Sequence, residues 1–315
     1  MRAAPTVAVI GAGIMGNGLA THFTLEGCDV TLIDHRQSNL DEAGARILDA
    51  VEFLRDARVV DDDPEDVLSA TELTIDRDVG VADADIVLET ISEDLAVKRS
   101  LFEDVAAAAP DAAVLASNTS SIQISKIADA VPDAAGRIVG CHWWNPPYLM
   151  PLVEVVRGTD TADETVDRVV AFVESVDRNP IVVRRDVPGF VWNRVQFAVL
   201  RECMHIVEEG IASIKDVDAA VRDGYALRTA VVGPFETVDL SGLELFRDIS
   251  DDLYPHLCND DEASDIFDEY IDDGRSGVED GAGFYEYDRS AEAVLDDRDR
   301  TILALLQARG GPDET

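Results

Sequence analysis

His142 and Glu154, twelve positions apart, are residues whose types and spacing suit taking a proton from an alcohol. His142 lies in Gly140-Cys141-His142-Trp143-Trp144-Asn145-Pro146-Pro147, and Glu154 interrupts the apolar run Leu152-Val153-Glu154-Val155-Val156. A carboxylate inside an apolar strand is costly unless it is paired. A histidine at the end of a neighbouring strand is a suitable partner, with Pro146-Pro147 forcing a turn between the two segments. An imidazole oriented by a carboxylate is an arrangement that removes a hydroxyl proton. On spacing alone, the pair would serve equally as a satisfied core contact.

A second motif supplies a place for a redox partner. Gly11-Ala12-Gly13-Ile14-Met15-Gly16 is a G-x-G-x-x-G run that follows the apolar strand around Val7-Ala8-Val9-Ile10 and opens a helix. Glycines permit the tight turn and let backbone N–H groups approach a pyrophosphate, and the helix N-terminus adds partial positive charge. Asp34 stands 18 residues after Gly16, at the end of a second strand. Its carboxylate accepts ribose hydroxyls and repels a 2′-phosphate, so NAD is expected rather than NADP; Arg36 nearby works in the opposite direction.

The elements that must carry these groups follow from the apolar pattern. Strands are expected at 5–10, 29–33, 86–88, 113–115, 138–141, 153–156 and 181–183. Helices are expected at 14–27, at 39–58 with Ser38 as its cap, between the third and fourth strands around Lys98 and Leu101-Phe102, and at 162–177. Strands alternating with helices predict a parallel, doubly wound sheet. After Pro188-Gly189 the pattern turns helical, at 190–209, 215–223, 234–255 and 262–272, with a short terminal helix at Thr301 to Leu306. The expectation is an α/β Rossmann-type doubly wound domain over 1–186 followed by an all-α C-terminal domain over 187–315, the latter serving substrate binding and dimerisation.

Composition excludes several functions. The 315 residues carry a net charge of −38, with 64 Asp and Glu against 26 Lys and Arg. Such a surface repels nucleic acid and anionic membranes. No apolar run approaches the roughly 18–20 residues that span a bilayer, and Met1 to Pro5 runs straight into a strand rather than a signal-peptide core. A cytoplasmic protein is expected. The four cysteines, Cys28, Cys141, Cys203 and Cys258, form no C-x-x-C pair, so neither a zinc site nor a disulfide framework is expected. Self-repulsion at this charge is screened only when the Debye length is short, about 3 Å near 1 M salt, which points to a halophilic cytoplasm.

Several polar residues remain open on their own. Ser117 to Ser121 reads as a capping turn or as a source of donors to a reacting oxygen. Asn193 reads as an ordinary first-turn helix residue or a substrate contact. Lys98 reads as a surface lysine or a partner for Glu93 or a phosphate. Trp143 and Trp144 read as core or as pocket lining.

Taken together, the motifs resemble the L-3-hydroxyacyl-CoA dehydrogenase family over nearly the whole length. The resemblance rests on Gly11 to Gly16, Glu89-Thr90-Ile91-Ser92-Glu93-Asp94-Leu95, Ser117-Asn118-Thr119-Ser120-Ser121, His142 to Pro147 and Pro151 to Val156. It continues in Asp186-Val187-Pro188-Gly189-Phe190-Val191-Trp192-Asn193-Arg194, Gly233-Pro234-Phe235-Glu236 and Gly281-Ala282-Gly283-Phe284-Tyr285. It implies His142 as acid–base, Glu154 orienting it, Ser120 bonding the reacting oxygen and Asn193 contacting substrate from the second domain. It implies Glu93, Lys98, Ser120 and Asn145 at the cofactor beside the glycine turn and a homodimer; no metal is expected at the site.

The likeness has branches. Acyl-CoA-using members often carry several basic residues on the helix after the second strand; here Arg46, Arg55 and Arg58 stand there with no lysine, and Glu279-Asp280 precedes the closing motif. Val195 to Glu202 and Gly224-Tyr225-Ala226-Leu227-Arg228 are more similar to relatives that oxidise free acids, the L-gulonate 3-dehydrogenase (lambda-crystallin) and L-carnitine dehydrogenase branch, where an arginine such as Arg228 would meet a carboxylate. The first expectation is oxidation of a short 3-hydroxyacyl-CoA such as 3-hydroxybutyryl-CoA. The second is oxidation of a small free 3-hydroxy acid, and a remote third is a non-catalytic nucleotide-binding protein. The lysine-dependent β-hydroxyacid dehydrogenases are set aside, because Lys215 is the one lysine beyond residue 186 and sits in a helix cap.

Overall fold

The computed structural model describes residues 4–309; Met1 to Ala3 of the N-terminal stretch and 310–315 of the expected helical domain lie outside the described residues. In chain order the elements are β1 (Thr6–Ile10), α1 (Ile14–Leu25), β2 (Asp29–Ile33), α2 (Gln37–Asp56), α3 (Pro64–Ala70), β3 (Thr71–Thr74), α4 (Arg77–Val81) and β4 (Ile86–Glu89). They continue as α5 (Leu95–Ala108), β5 (Val114–Ser117), α6 (Ile124–Ala128), β6 (Ile138–His142), β7 (Leu152–Val156), α7 (Asp163–Ser175), β8 (Asn179–Val183) and α8 (Trp192–Glu208).

Among the described residues one sheet holds eight strands in the order β3-β2-β1-β4-β5-β6-β7-β8. Its central strands are buried on both faces, which is why they read as unbroken apolar runs. Along β1 the alternation feeds two cores: Val7 and Val9 pack with Leu19, Phe23 and Leu32, whereas Ala8 and Ile10 pack with Val87, Phe102 and Leu115. The expected all-parallel pairing fails at one seam. β6 and β7 are antiparallel, and β8 runs parallel to β7. The link between β6 and β7, residues 143–151, is too short for a parallel crossover, which takes a dozen residues or more.

β3 and the two short helices around it escaped the apolar pattern because their sequence is polar. Thr71–Thr74 pairs only with β2 at the sheet edge. The acidic run at 61–66 is in part a helix start: Asp63 accepts the Glu65 N–H and Pro64 opens α3. Ser38 is not the cap of α2. That helix starts at Gln37, and its entry is held by Asp34, whose Oδ1 accepts from the Arg36 N–H at 3.0 Å and from Asn39 Nδ2 at 2.9 Å.

The chain packs as two compact units, one reaching to Asn193 and resuming at Asp297, the other comprising Arg194–Asp296. In this division Asn193 lies in the first unit, with the sheet. The terminal helix is longer than expected, Ala291–Ala308. It seats Leu303 against Leu54 and Leu149 and places Arg300 over the Phe53 ring at 5.2 Å. In the second unit the helix expected over 234–255 is broken at Gly242, whose φ of +104° favours glycine, giving Pro234–Ser241 and Leu243–Leu253. Among the described residues no helix is long and apolar enough to cross a membrane. Cys28 and Cys141 are buried free thiols and Cys203 and Cys258 are half-buried free thiols.

Candidate active site

The sheet register places the motif residues along one edge. Ile10 at the end of β1 pairs with Glu89 at the end of β4, Glu89 with Ser117 at the end of β5, and Ser117 with Gly140, two residues before His142. The glycine turn after Ile10 and the imidazole of His142 therefore lie at the same carboxyl edge, three strand spacings or roughly 14 Å apart. In open α/β sheets that edge is where ligands bind.

The glycine turn fits a dinucleotide. Gly11 has φ +106°, and its N–H donates to the Ile33 carbonyl at 2.8 Å. A Cβ on Gly16 would fall 1.7 Å from the Gly11 oxygen, so only glycine lets α1 pack this closely. Gly13, the N-cap of α1, provides no side-chain cap, so the first-turn N–H groups are left without a side-chain acceptor, and a Cβ built at Gly13 would meet nothing within 4 Å. Asp34 is buried at the end of β2, and its Oδ2 accepts the Ala12 N–H at 3.0 Å. A cavity of about 600 Å³ opens beside it, lined by Ile33, Asp34, Ile75, Ile91 and Val97 among others, an apolar slot of the kind an adenine fills.

His142 and Glu154 face one another in the β6–β7 register, with Nδ1 2.7 Å from Oε2. Glu154 is fully buried, at 0% exposure. Its other oxygen, Oε1, accepts the N–H groups of Val191 at 2.9 Å and Trp192 at 3.0 Å, at the start of α8. Burial alone would raise this carboxyl. Hydrogen bonds from His142, Trp192 and Val191 outweigh it and hold Glu154 below the usual carboxylate range. An ionised Glu154 fixes the tautomer: the proton sits on Nδ1, and Nε2, which no hydrogen bond engages among the described residues, is left as a proton acceptor. The Trp144 indole N–H, 3.4 Å from Nδ1, is then a contact rather than a hydrogen bond, because a protonated Nδ1 has no free lone pair.

A left-handed residue makes this possible. Phe190 has φ +50° and is buried with its ring 5.8 Å from the His142 ring. The expected helix start at Phe190 is therefore wrong by two residues: Phe190 and Val191 form the turn that aims two consecutive N–H groups at Glu154.

Ser120 and Asn193 meet, with Asn193 Nδ2 donating to the Ser120 carbonyl at 3.0 Å. The Ser120 hydroxyl has no protein partner among the described residues and is free for a ligand. Its turn is held by Glu93, whose Oε1 accepts from Thr119 Oγ1 at 2.5 Å, the Ser120 and Ser121 N–H groups at 3.1 Å each, and Ser121 Oγ at 3.0 Å. Burial raises the Glu93 carboxyl, but the Thr119 hydroxyl, the Lys98 charge and Ser121 together bring it below its ordinary value. Lys98 is not a surface lysine. It is 1% exposed, with Nζ 2.5 Å from Glu89 Oε1 and 3.4 Å from Glu93 Oε2, so any influence on a cofactor passes through Glu93. Glu89, buried and bonded also by Ser117 Oγ at 2.6 Å, is pushed above the usual range by burial despite Lys98. Asn145 is exposed in the turn after His142. The two tryptophans separate: Trp143 is core, edge-on to Phe23 at 5.2 Å, and Trp144 stacks on Trp192 at 4.2 Å beside His142. Glu89 and Trp192 were missed as site residues. The signal for Glu89 was present in a carboxylate ending an apolar strand, as with Glu154.

Residues 6–187 match the family described as 3-hydroxyacyl-CoA dehydrogenase, NAD binding domain, and residues 189–287 match its C-terminal domain. The chain is 31% identical over 306 residues to 5-formyl-3-hydroxy-2-methylpyridine 4-carboxylate 5-dehydrogenase of Mesorhizobium japonicum, covering 97% of this chain and 98% of that one. A solved structure of an enzyme of that activity, described as an NAD+ dependent dismutase, superposes with a TM-score of 0.90 at 29% identity, covering 98% and 100% of the two chains. Identity is 35% to the L-carnitine dehydrogenase of Streptomyces griseus (96% and 90% covered) and 35% to a probable 3-hydroxybutyryl-CoA dehydrogenase of Deinococcus radiodurans (89% and 99%).

Proposed function

The chain belongs to the 3-hydroxyacyl-CoA dehydrogenase family and is an NAD-dependent oxidoreductase acting on CH–OH; on that premise we propose that it oxidises the hydroxyl of a small free hydroxy acid, in the cytoplasm and as a homodimer. NAD, when bound, supplies the hydride acceptor. The backbone N–H groups at Gly13, Ile14 and Met15 hold its pyrophosphate, Asp34 its adenosine ribose, and Glu93 and Asn145 its nicotinamide side. His142 takes the hydroxyl proton at Nε2. Glu154 keeps Nδ1 protonated and balances the positive charge that forms on the imidazole. Ser120 Oγ donates to the reacting oxygen, and Asn193 fixes the turn that carries Ser120.

The observation that carries the free-acid reading is the state of α2, where CoA phosphates dock in acyl-CoA-using relatives. Arg46 is paired with Glu42 at 3.0 Å and Arg55 with Asp63 at 3.3 Å. Such exposed pairs add little to stability, but they cancel the positive field a polyphosphate would need. The likeness to a pyridine carboxylate dehydrogenase over nearly both full lengths supports the same reading. Oxidation of a short 3-hydroxyacyl-CoA is the second reading, supported by the family's description and by the Deinococcus relative. Steady-state kinetics with NAD at high KCl decide between them. Acetoacetyl-CoA reduction is compared with oxidation of carnitine, gulonate and free 3-hydroxybutyrate. A kcat/KM for acetoacetyl-CoA above that for every free acid overturns the proposal.

A further inference from the structure

The second unit gathers three metal-ligating side chains that the sequence keeps apart. His205 rides on α8, and Cys258 and Asp260 belong to the segment that follows the single turn Tyr254–His256. One ligand atom from each lies within 4.8 Å of the other two. Cys258 Sγ is 3.3 Å from Asp260 Oδ2. Two tethers fix the segment to the helix. The Cys258 N–H donates to Glu202 Oε2 at 2.9 Å, and Arg201 Nη1 donates to the Asp260 carbonyl at 3.1 Å. Arg201 and Glu202 precede His205 by four and three positions, so all three share one face of α8. Among the described residues no side-chain hydrogen bond or ion pair engages the His205 imidazole.

We propose that His205, Cys258 and Asp260 bind a divalent transition-metal ion of the zinc class. Imidazole, thiolate and carboxylate are the donors such an ion takes, at about 2.0–2.3 Å, which places neighbouring ligand atoms about 3.3–3.8 Å apart. The Sγ–Oδ2 pair already has that spacing, and side-chain rotation of half-buried His205 and exposed Asp260 closes the rest. Calcium and magnesium take oxygen ligands and are not suited to this set. Three protein ligands leave a fourth position for water. As the metal–sulfur bond forms, the Cys258 thiol proton passes to solvent, and nothing is oxidised. A cavity of about 850 Å³ that includes Cys258, Asp260, Asp261 and Glu262 in its lining gives the ion access. The surrounding carboxylates favour a cation. Arg201 opposes it, but the nearby carboxylates of Glu202, Asp261 and Glu262 outnumber it. The ion would clamp the 258–260 segment to α8. No zinc spacing is visible in the chain because the ligands come from a helix and a segment some fifty residues on, not from a C-x-x-C turn.

The test is titration of chelator-treated full-length protein with Co(II) in high KCl. One equivalent per chain is expected, with a near-ultraviolet thiolate charge-transfer band that Zn(II) displaces. The band should vanish in Cys258→Ser, and His205→Ala should lose the ion on gel filtration. Zn(II) should also slow alkylation of Cys258 in the wild-type protein, a readout that needs no variant to fold. NADH binding by each variant checks that the first unit is intact. A titration without the band overturns the site. So does a band that persists in Cys258→Ser, or equal metal retention by both variants and the wild type, which would mark adventitious binding by surface carboxylates.

Discussion

His142 and Glu154 are cross-strand partners, directly opposite in the one antiparallel seam of the sheet, with Nδ1 and Oε2 2.7 Å apart. The seam is what allows this. Had β7 run parallel to β6, the carboxylate could not have met the imidazole in this register. Replacing His142 by Ala is expected to lower kcat by about 10²–10⁴-fold, the range for losing an acid–base group, with NADH affinity unchanged. Stopped-flow turnover and fluorescence titration of NADH check the two halves. Loss of NADH binding together with activity would mean that His142 supports the fold instead.

Glu154→Gln separates orientation from proton transfer. The amide keeps the shape but removes the charge that holds the proton on Nδ1, and it leaves the Val191 and Trp192 N–H groups with a weaker acceptor. A fall in kcat larger than any change in KM for NAD is expected. The stability effect has a sign set by the lowered carboxyl. Because the folded value lies below the unfolded value of about 4.3, Glu154 contributes stability that is fully present above that pH and is lost as pH falls through the folded value. The wild type should exceed Glu154→Gln in unfolding free energy above about pH 5, with the gap closing below about pH 4. A gap that is already closing at pH 6 would contradict the assignment.

Much of this site was legible in the chain. Glu154 was readable because a lone carboxylate in Leu152-Val153-Glu154-Val155-Val156 has to find a partner, and the glycine turn because a strand precedes it and Asp34 follows at the right distance. Seven of the eight strands were found because buried strands show as apolar runs. β3 was not, since an edge strand such as Thr71–Thr74 can be polar. The antiparallel seam was missed because strand direction depends on the link between strands, and periodicity does not report it. The pairing of Lys98 with Glu93 was one of the readings the sequence left open; its burial and its shorter contact to Glu89 were not legible, because a charged residue on an amphipathic helix looks solvated until the carboxylates below it are placed by other strands and turns.

Lys98→Met tests the buried network. Removing the ammonium leaves Glu89 buried without its partner 2.5 Å away, a change that typically costs about 3–5 kcal/mol. Urea unfolding at high KCl should show a loss of that order. Lys98→Met combined with Glu89→Gln should recover part of it, since the stranded charge is gone. A Lys98→Met variant as stable as the wild type would mean that Lys98 is solvated in solution.

The net charge of −38 predicts a salt requirement. Self-repulsion among like surface charges weakens as the Debye length drops from about 10 Å at 0.1 M to about 3 Å at 1 M salt. The melting temperature should therefore rise steeply with KCl over that range. Calorimetry across a KCl series checks it, and a flat response would rule out adaptation to a saline cytoplasm.

The second unit predicts its own partner. Val231 and Phe235 are 82% and 87% exposed, and Leu240, Leu243, Leu245, Ile249 and Leu253 continue the exposed apolar set along Pro234–Ser241 and Leu243–Leu253. Large apolar side chains left exposed along two consecutive helices mark an interface. A second copy of the chain is the expected cover, burying apolar area at about 25 cal/mol per Å². Sedimentation equilibrium at high KCl should give twice the 34.1 kDa of one chain. Phe235→Asp with Leu243→Asp should shift it toward the monomer, because each places an unpaired charge in the interface. A wild type that sediments as a monomer at micromolar concentration would leave those side chains without the partner assigned to them.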